Sequence, residues 1–404
     1  MSLLADKFSK LGCDNAPGQE GRQQAAEIPL RGEKIPGIAV DFSHGDVNTT
    51  AFAPTPGALE EFVAGVHRGG EAAYTEYRGN KSIREDMAEK LACFTGAAVA
   101  ADKELIITPG TQGALFLAMG ATIGKGDKVA IVVPDYFANR KLVEFFDGEL
   151  IPVRMDYHST TTKAGLDLTQ LEAAFQAGAR LFLFSNPNNP AGVIYSPEEI
   201  HTIAALAQKY DATVIVDQLY SRLLYDGRTY THLRAQNINP NNVLTIMGPS
   251  KTESLSGYRL GVAFGSAPII DRMEKLQAIV SLRAPGYSQS VLKTWFAEPT
   301  GWMEQRVALH QAIRDDLLAK FRSVPGVTVR TTEAGSYVFP RIPALAVTTQ
   351  EFVKILRLQA DVIVTPSTEF DPHMTDSFRL NFSQNHEAAV KAIDRIAELI
   401  ERYR

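Results

Sequence analysis

Cysteine is scarce in this 404-residue chain: Cys13 and Cys93 are the only two. They lie far apart and fit neither a disulfide framework nor a zinc-ligand spacing, so a reducing, cytoplasmic setting is expected. The eight histidines form no HExxH or HxH pair. His373, between Asp371 and Asp376, reads as part of a solvated loop, and no metal site is expected. Neither sign of charge is in excess: 41 Lys+Arg against 46 Asp+Glu leave a net −5. That removes the electrostatic case for nucleic acid or an anionic membrane. Nothing approaches the ~20 consecutive apolar residues of a transmembrane helix, and the N-terminus lacks the basic flank and apolar run of a secretory signal. Internal repeats and low-complexity tracts are missing as well.

What remains is a chain 45% apolar and 22% charged, the balance of a folded globular protein large enough to bury a core. Residues 1 to about 35, dotted with Pro17, Gly18 and Gly21, read as an arm rather than a core element. From Leu105 to Gly265, short apolar runs alternate with amphipathic stretches: LIIT, VAIVVP, LFLFSNP, TVIVD, VLTIMG and VAFGS. Runs apolar on both faces, separated by helical patterns, predict a parallel sheet buried between helix layers, with the ligand crevice at the strands' carboxyl ends. Beyond Gly286 the texture changes. One helix is expected over Gly301–Arg322, stopped by Val324-Pro325-Gly326, then strand-like VTVRTT and SYVFPRI, the mixed DVIVTP, and a last helix from His386 to Tyr403. The fold class is therefore α/β with a mostly parallel sheet, plus a smaller α+β part. The expected division is an arm and part of the small domain over 1–47, a large domain over 48–290 and a small domain over 291–404.

GATIGKGD (120–127) resembles a Walker loop, but its glycines are too close and Gly126 stands where a magnesium-binding Ser/Thr belongs, so a helix-ending turn is expected. TPGTQGALFLAMG is a different matter: a small-residue turn opening a helix at a strand end offers free N–H groups to an anion. In VIVDQLY a strand delivers Asp217 to the ligand edge with Tyr220 three residues on, or Asp217 caps the helix that follows. SNPNNPAG holds Asn189 between prolines as a fixed hydrogen-bonding amide, or serves as a rigid turn. In MGPSKTESLSGYRLG, Ser250-Lys251 follows an apolar strand and Arg259 comes eight residues later. That pattern suits a nucleophilic amine beside an anion-binding guanidinium.

Together, and in this order, these segments resemble the aminotransferase class I/II family of fold-type-I pyridoxal-phosphate enzymes, from about Asp41 to the C-terminus. The resemblance implies pyridoxal 5′-phosphate as cofactor and transfer of an amino group from an L-amino acid to a 2-oxo acid. It implies that Lys251 holds the cofactor as an internal aldimine and shuttles the proton, that Asp217 pairs with the ring N–H⁺, and that Tyr220 and Asn189 bond the phenolic oxygen. Gly110, Thr111, Gln112, Ser250 and Arg259 match the phosphate cradle, and Tyr136 the aromatic stacked on the ring. Tyr74 matches a tyrosine that reaches the neighbouring subunit's phosphate, which implies a homodimer with shared sites. Arg379 matches the arginine that grips the substrate carboxylate, and Gly45 the glycine of the segment closing over the substrate.

The sequence departs from the family at Gly248, where many members have serine, at Gln218 and Ala191, and at Ser367, where a glycine is common. Motifs that hold the cofactor do not decide which bond breaks, so a lyase, decarboxylase or racemase stands as the alternative. A ligand-sensing regulator of this fold is disfavoured, because no helix-turn-helix precedes the site. Arg283 is a candidate for a substrate's distal carboxylate, or else a surface or hinge arginine; Tyr77, Arg78, His44 and Tyr287 are further side-chain-pocket candidates.

Overall fold

In a computed structural model of the chain, residues 3–12 and 28–404 are described. The arm opens with helix α1 (Leu3–Leu11). Phe8 of α1 meets Phe145 edge-on and Lys7 pairs with Asp147; the absence of a long apolar stripe hid this helix. Pro17, Gly18, Gly21 and Cys13 lie outside the described residues, whereas Cys93 is a free, exposed thiol. In chain order there follow β1 (Val40–Asp41), α2 (Ala58–His67), α3 (Gly70–Ala73), α4 (Lys81–Thr95), β2 (Leu105–Pro109), α5 (Gly110–Gly120), β3 (Lys128–Val133), α6 (Phe137–Phe145), β4 (Glu149–Arg154) and α7 (Leu168–Gln176). Then come β5 (Leu181–Ser185), α8 (Pro197–Tyr210), β6 (Thr213–Asp217), β7 (Val243–Met247), β8 (Leu260–Gly265), α9 (Ala267–Val280) and α10 (Trp302–Ser323). The chain ends with β9 (Tyr337–Val338), α11 (Thr349–Ala360), β10 (Val362–Ile363), β11 (Thr365–Pro366), β12 (Phe378–Asn381) and α12 (His386–Tyr403).

The central sheet has seven strands in the order β2-β8-β7-β6-β5-β3-β4. Only β8 runs against the rest. Pro109 pairs with Leu260, so the end of β2 and the start of β8 reach the same edge as the carboxyl ends of β3, β5, β6 and β7. One edge thus receives six chain turns, and the segments TPGTQG, SNPNNPAG, VIVDQLY and MGPSKTESLSGYRLG all lie on it. Apolar layers cover both faces: Leu115, Met119, Ile246 and Ile270 pack on one side, Phe182, Phe184, Ile203 and Val214 on the other. Each such buried side chain contributes roughly 1.5–3 kcal/mol. The helices are stopped and started by local chemistry. Ser196 and Glu199 form a capping box with Pro197 at the first turn of α8, and Thr348 with Glu351 repeats the device at α11.

A second core gathers Ile313, Leu317, Phe321, Phe352, Leu356, Ile396 and Ile400 from α10, α11 and α12. Val40 and Asp41 pair in parallel with Val362 and Ile363, joining the N-terminal segment to this part. Here regular pairing is sparse. VTVRTT forms no strand, only a single bridge from Thr328 to Arg341; its Arg330 and Thr332 side chains donate to the Tyr157 and Tyr337 carbonyls, and Thr331 accepts from Arg322. SYVFPRI and DVIVTP are strands for two residues at a time. GATIGKGD is a turn after α5, with Gly124 N–H donating to Asp127. Among the described residues no helix is long and apolar enough to cross a membrane.

Candidate active site

The loops at the sheet edge enclose a cavity of about 220 Å³. At one end α5 begins where β2 stops, so its first N–H groups have no partners within the helix. Gly110 has φ +76°, and a Cβ there would fall 2.5 Å from an Arg259 guanidinium nitrogen. A Cβ on Gly261 would fall 2.4 Å from the Thr111 amide nitrogen. Two glycines therefore let β8 and the first turn of α5 touch, and Thr111, Gln112, Ser250 and Arg259 line the cavity around that contact. The result is a small-residue cradle at a helix N-terminus with a guanidinium beside it, suited to a phosphate group. Gly248 has a reason as well: its Cβ would lie 2.8 Å from the Thr111 methyl. Thr111 fills the place a serine would take.

Lys251 and Asp217 stand at the ends of neighbouring strands, with Asp217 in register with Ile246 of β7. Burial pushes Lys251 from its ordinary 10.5 down to about 8, helped by Arg259 and Arg379 and opposed by Asp46. The amine is thus partly neutral near physiological pH. Asp217 accepts one bond, from the Leu219 N–H at 3.0 Å, and burial raises it to about 6. Among the described residues no side-chain cation pairs with it. A carboxylate left this way is costly unless a ligand supplies the missing positive charge, and a protonated ring nitrogen would do so.

Asn189 and Arg379 meet directly, the guanidinium donating to Asn189 Oδ1 at 2.9 Å and to the Ser43 carbonyl at 2.9 Å. Arg379 is 1% exposed, stacked 4.2 Å from the Tyr337 ring centre and 4.8 Å from that of Phe370. Its Nε has no partner, a spare donor for a carboxylate. Tyr220 and Tyr337 share a hydroxyl–hydroxyl bond of 2.6 Å. Tyr136 donates to Gln112 Oε1 at 2.9 Å, and burial holds its hydroxyl well above the usual tyrosine range. Gly45 lies over Lys251: a Cβ there would come 2.9 Å from the Tyr337 hydroxyl and 3.5 Å from Lys251 Nζ.

The cavity thus brings together Gly45, Thr111, Gln112, Tyr136, Asn189 and Asp217, and with them Tyr220, Ser250, Lys251, Arg259 and Arg379. Gly110 supports its wall from behind. Tyr74 is not in it: this side chain is 75% exposed, with the Arg283 guanidinium 3.6 Å above its ring. Tyr77, Arg78, His44 and Tyr287 do not line it either. Arg78 is bound to Glu274, and His44 lies 3.3 Å from Asp41. Ser367 donates to the Met374 carbonyl at 2.6 Å and is fully buried, a structural position outside the cavity. His373 sits in a turn on Asp371, and no group of His, Cys, Asp or Glu among the described residues could hold a metal ion. Four residues went unseen in the sequence: Ser185 and Tyr337, which line the cavity, Asp135 beneath it, and Asn381. The Asn381 amide donates to the carbonyls of His44 and Asp46, on either side of Gly45.

A phosphate cradle, a lysine in the basic range, an uncountered acid and a guanidinium with a donor to spare fit pyridoxal phosphate together with an amino acid. Residues 39–396 match the family model for aminotransferase class I and II, and the chain belongs to that family. It is accordingly a pyridoxal-phosphate-dependent aminotransferase of fold type I. The crystal structure of an aspartate aminotransferase from Rhodobacter sphaeroides 2.4.1 superposes with a TM-score of 0.94 at 65% identity, covering 99% of this chain and 100% of that one. The aspartate aminotransferase of Musicola paradisiaca is 27% identical over 354 residues, 86% of this chain and 87% of that protein. The aspartate/prephenate aminotransferase of Thermus thermophilus is 25% identical over 386 residues, 94% of each.

Proposed function

We propose that this cavity is where the aminotransferase works, with Lys251, Asp217 and Tyr220 as its catalytic residues. Bound there, pyridoxal 5′-phosphate supplies a carbonyl that takes up amines and a ring that withdraws electrons from the substrate Cα. The Gly110 backbone, Thr111, Gln112, Ser250 and Arg259 hold the phosphate, and Tyr136 faces the ring. Asp217 keeps a proton on the ring nitrogen, while Tyr220 and Asn189 bond the phenolic oxygen. Arg379 grips the substrate α-carboxylate and so fixes which Cα bond is exposed to the base. Lys251 takes the proton from Cα, a task for which a pKa of about 8 suits it. Gly45 lets the segment above pass close over the amino acid. The observation that carries this reading is the meeting of Asp217, Lys251 and Arg379 in one cavity.

The amino donor we infer is aspartate, supported by the names of the relatives above. The cations lining the cavity are Lys251, Arg259 and Arg379, and each already has a task, so a second carboxylate calls for one more. Arg283 is the candidate, with its Nε and one terminal nitrogen unpaired beside Tyr74. From there it would serve the neighbouring subunit, as Tyr74 would. A homodimer is supported by the apolar side chains exposed on this side: Leu59, Val63, Val66, Ile279, Val280 and Leu282. The division at residues 47 and 290 belongs to the same proposal, supported by the separate core around α10–α12, as does a cytoplasmic setting.

The test is absorbance of the holoenzyme while L-amino acids are added singly. Aspartate should bleach the cofactor's visible band and a 2-oxo acid should restore it. Released ammonia or carbon dioxide would instead assign a lyase or decarboxylase. In the Arg283→Leu variant, preference for aspartate over alanine should fall about tenfold or more, as expected when a buried carboxylate loses its partner. Unchanged preference would remove Arg283 from the site.

A further inference from the structure

Asp135 lies directly below the cavity, 3% exposed, between the end of β3 and the start of α6. Among the described residues no cation pairs with it. Its carboxylate is held by donors alone: the Ser185 N–H at 2.9 Å, the Ser185 hydroxyl at 2.5 Å, the Tyr136 N–H at 2.5 Å and the Asn139 amide at 3.4 Å. Ser185 stands opposite Asp217 in the sheet, and its Oγ, having donated to Asp135, accepts from the Asn189 N–H at 3.0 Å. One carboxylate therefore fixes two residues that follow different strands: Tyr136 directly and Asn189 through Ser185. A buried acid without a cation is costly, and it is not here as the cap of α6, whose N-cap is Tyr136 with no side-chain capping bond.

We propose that Asp135 is a positioning residue for the catalytic site, setting Tyr136 and, through the Ser185 hydroxyl, Asn189 and the Arg379 contact beyond it. The inference rests on the roles proposed above for Tyr136 and Asn189. The group must be an acceptor on both oxygens. An amide at this position turns an N–H toward either Ser185 or Tyr136, where only donors face it, so Asp135→Asn breaks the arrangement while keeping its volume. Ser185→Ala cuts the branch to Asn189 and leaves the branch to Tyr136. Burial, with Asp217 a lesser contributor, raises Asp135 to about 7, which agrees with a carboxylate lacking a counter-ion.

The experiment compares Asp135→Asn, Ser185→Ala and, as reference, Asn189→Ala. Three quantities are read: the dissociation constant of pyridoxal phosphate from the apoprotein, the visible circular dichroism of the bound cofactor, and the apoprotein Tm. Displacing a contact by a fraction of an ångström should weaken cofactor binding about tenfold and alter the visible dichroism in all three. The serine variant should keep the apoprotein Tm within a few degrees of the parent. If Asp135→Asn fails to fold, Ser185→Ala decides alone. Normal cofactor affinity and dichroism in Ser185→Ala, with Asn189→Ala defective, would overturn the relay and spare the role of Asn189. Normal values in both would overturn the relay and that role together. A lowered apoprotein Tm with cofactor binding intact would reduce Asp135 to a structural anchor of the β3–α6 turn and end the proposal.

Discussion

Gly248 is the clearest case in which a departure from the family is explained by a neighbour. Many members place a serine there, but in this chain the Thr111 methyl and the Leu260 carbonyl stand 2.8 and 3.1 Å from where its Cβ would be. Adding the side chain overpacks the junction of β8 and α5, at a cost of about 1–3 kcal/mol. Gly248→Ser should therefore lower the Tm and weaken binding of pyridoxal phosphate, both measurable on the apoprotein. Pairing it with Thr111→Ser, which removes the obstructing methyl, should restore much of each loss; failure to do so would mean that the clash lies with the Leu260 carbonyl. The other departures have quieter accounts: Gln218 lies against His232, and Ala191 donates its N–H to Asn188.

Strand β12 does two jobs with alternate residues. Arg379 and Asn381 point to the same face, and the amide of Asn381 holds the carbonyls of His44 and Asp46 at 2.6 and 2.5 Å. The strand that carries Arg379, proposed above to grip the carboxylate, thus also holds down the segment around Gly45. Asn381→Ala takes the donor from two part-buried carbonyls, worth about 1 kcal/mol each. It should raise KM for the amino acid several-fold more than it weakens cofactor binding. Equal effects on both, in steady-state kinetics beside a cofactor titration, would place the loss in general stability instead. The central strands were legible because they are buried on both faces and read as unbroken apolar runs. Edge strand β4, ELIPVR, mixes exposed Glu149 and Arg154 with Pro152 and carries no such signal. The two-residue strands near the C-terminus are shorter than any periodicity can report. Lys251 and Asp217 could be singled out because the one comes soon after β7 and the other closes β6, each within a recognisable motif. Asp135 comes just beyond β3, much as Asp217 closes β6, so a similar signal was available in VVPDY. Ser185, Tyr337 and Asn381 have only ordinary residues around them, and their partners lie far off in sequence.

At the scale of the molecule, Tyr74 and Arg283 point away from their own cavity on an apolar face, which is why a dimer is proposed. Neither Lys251→Ala nor Tyr74→Ala homodimers should show full activity. In a mixed dimer, one site would collect both defects and the other would be free of both. Refolding the two variants together should therefore raise activity above the sum of the separate preparations, whereas a Tyr74 that served its own subunit would give no gain. A different consequence follows from the order of the strands. Strand β2 is paired to β8, which ends at Gly265, so the central sheet is complete as soon as that residue has left the ribosome. The strand that pairs with Val40, β10, emerges only after about another hundred residues, and Arg379 later still. During synthesis the cradle for phosphate can exist while the grip on the amino acid cannot, so a nascent chain could take up cofactor well before it could act on any substrate.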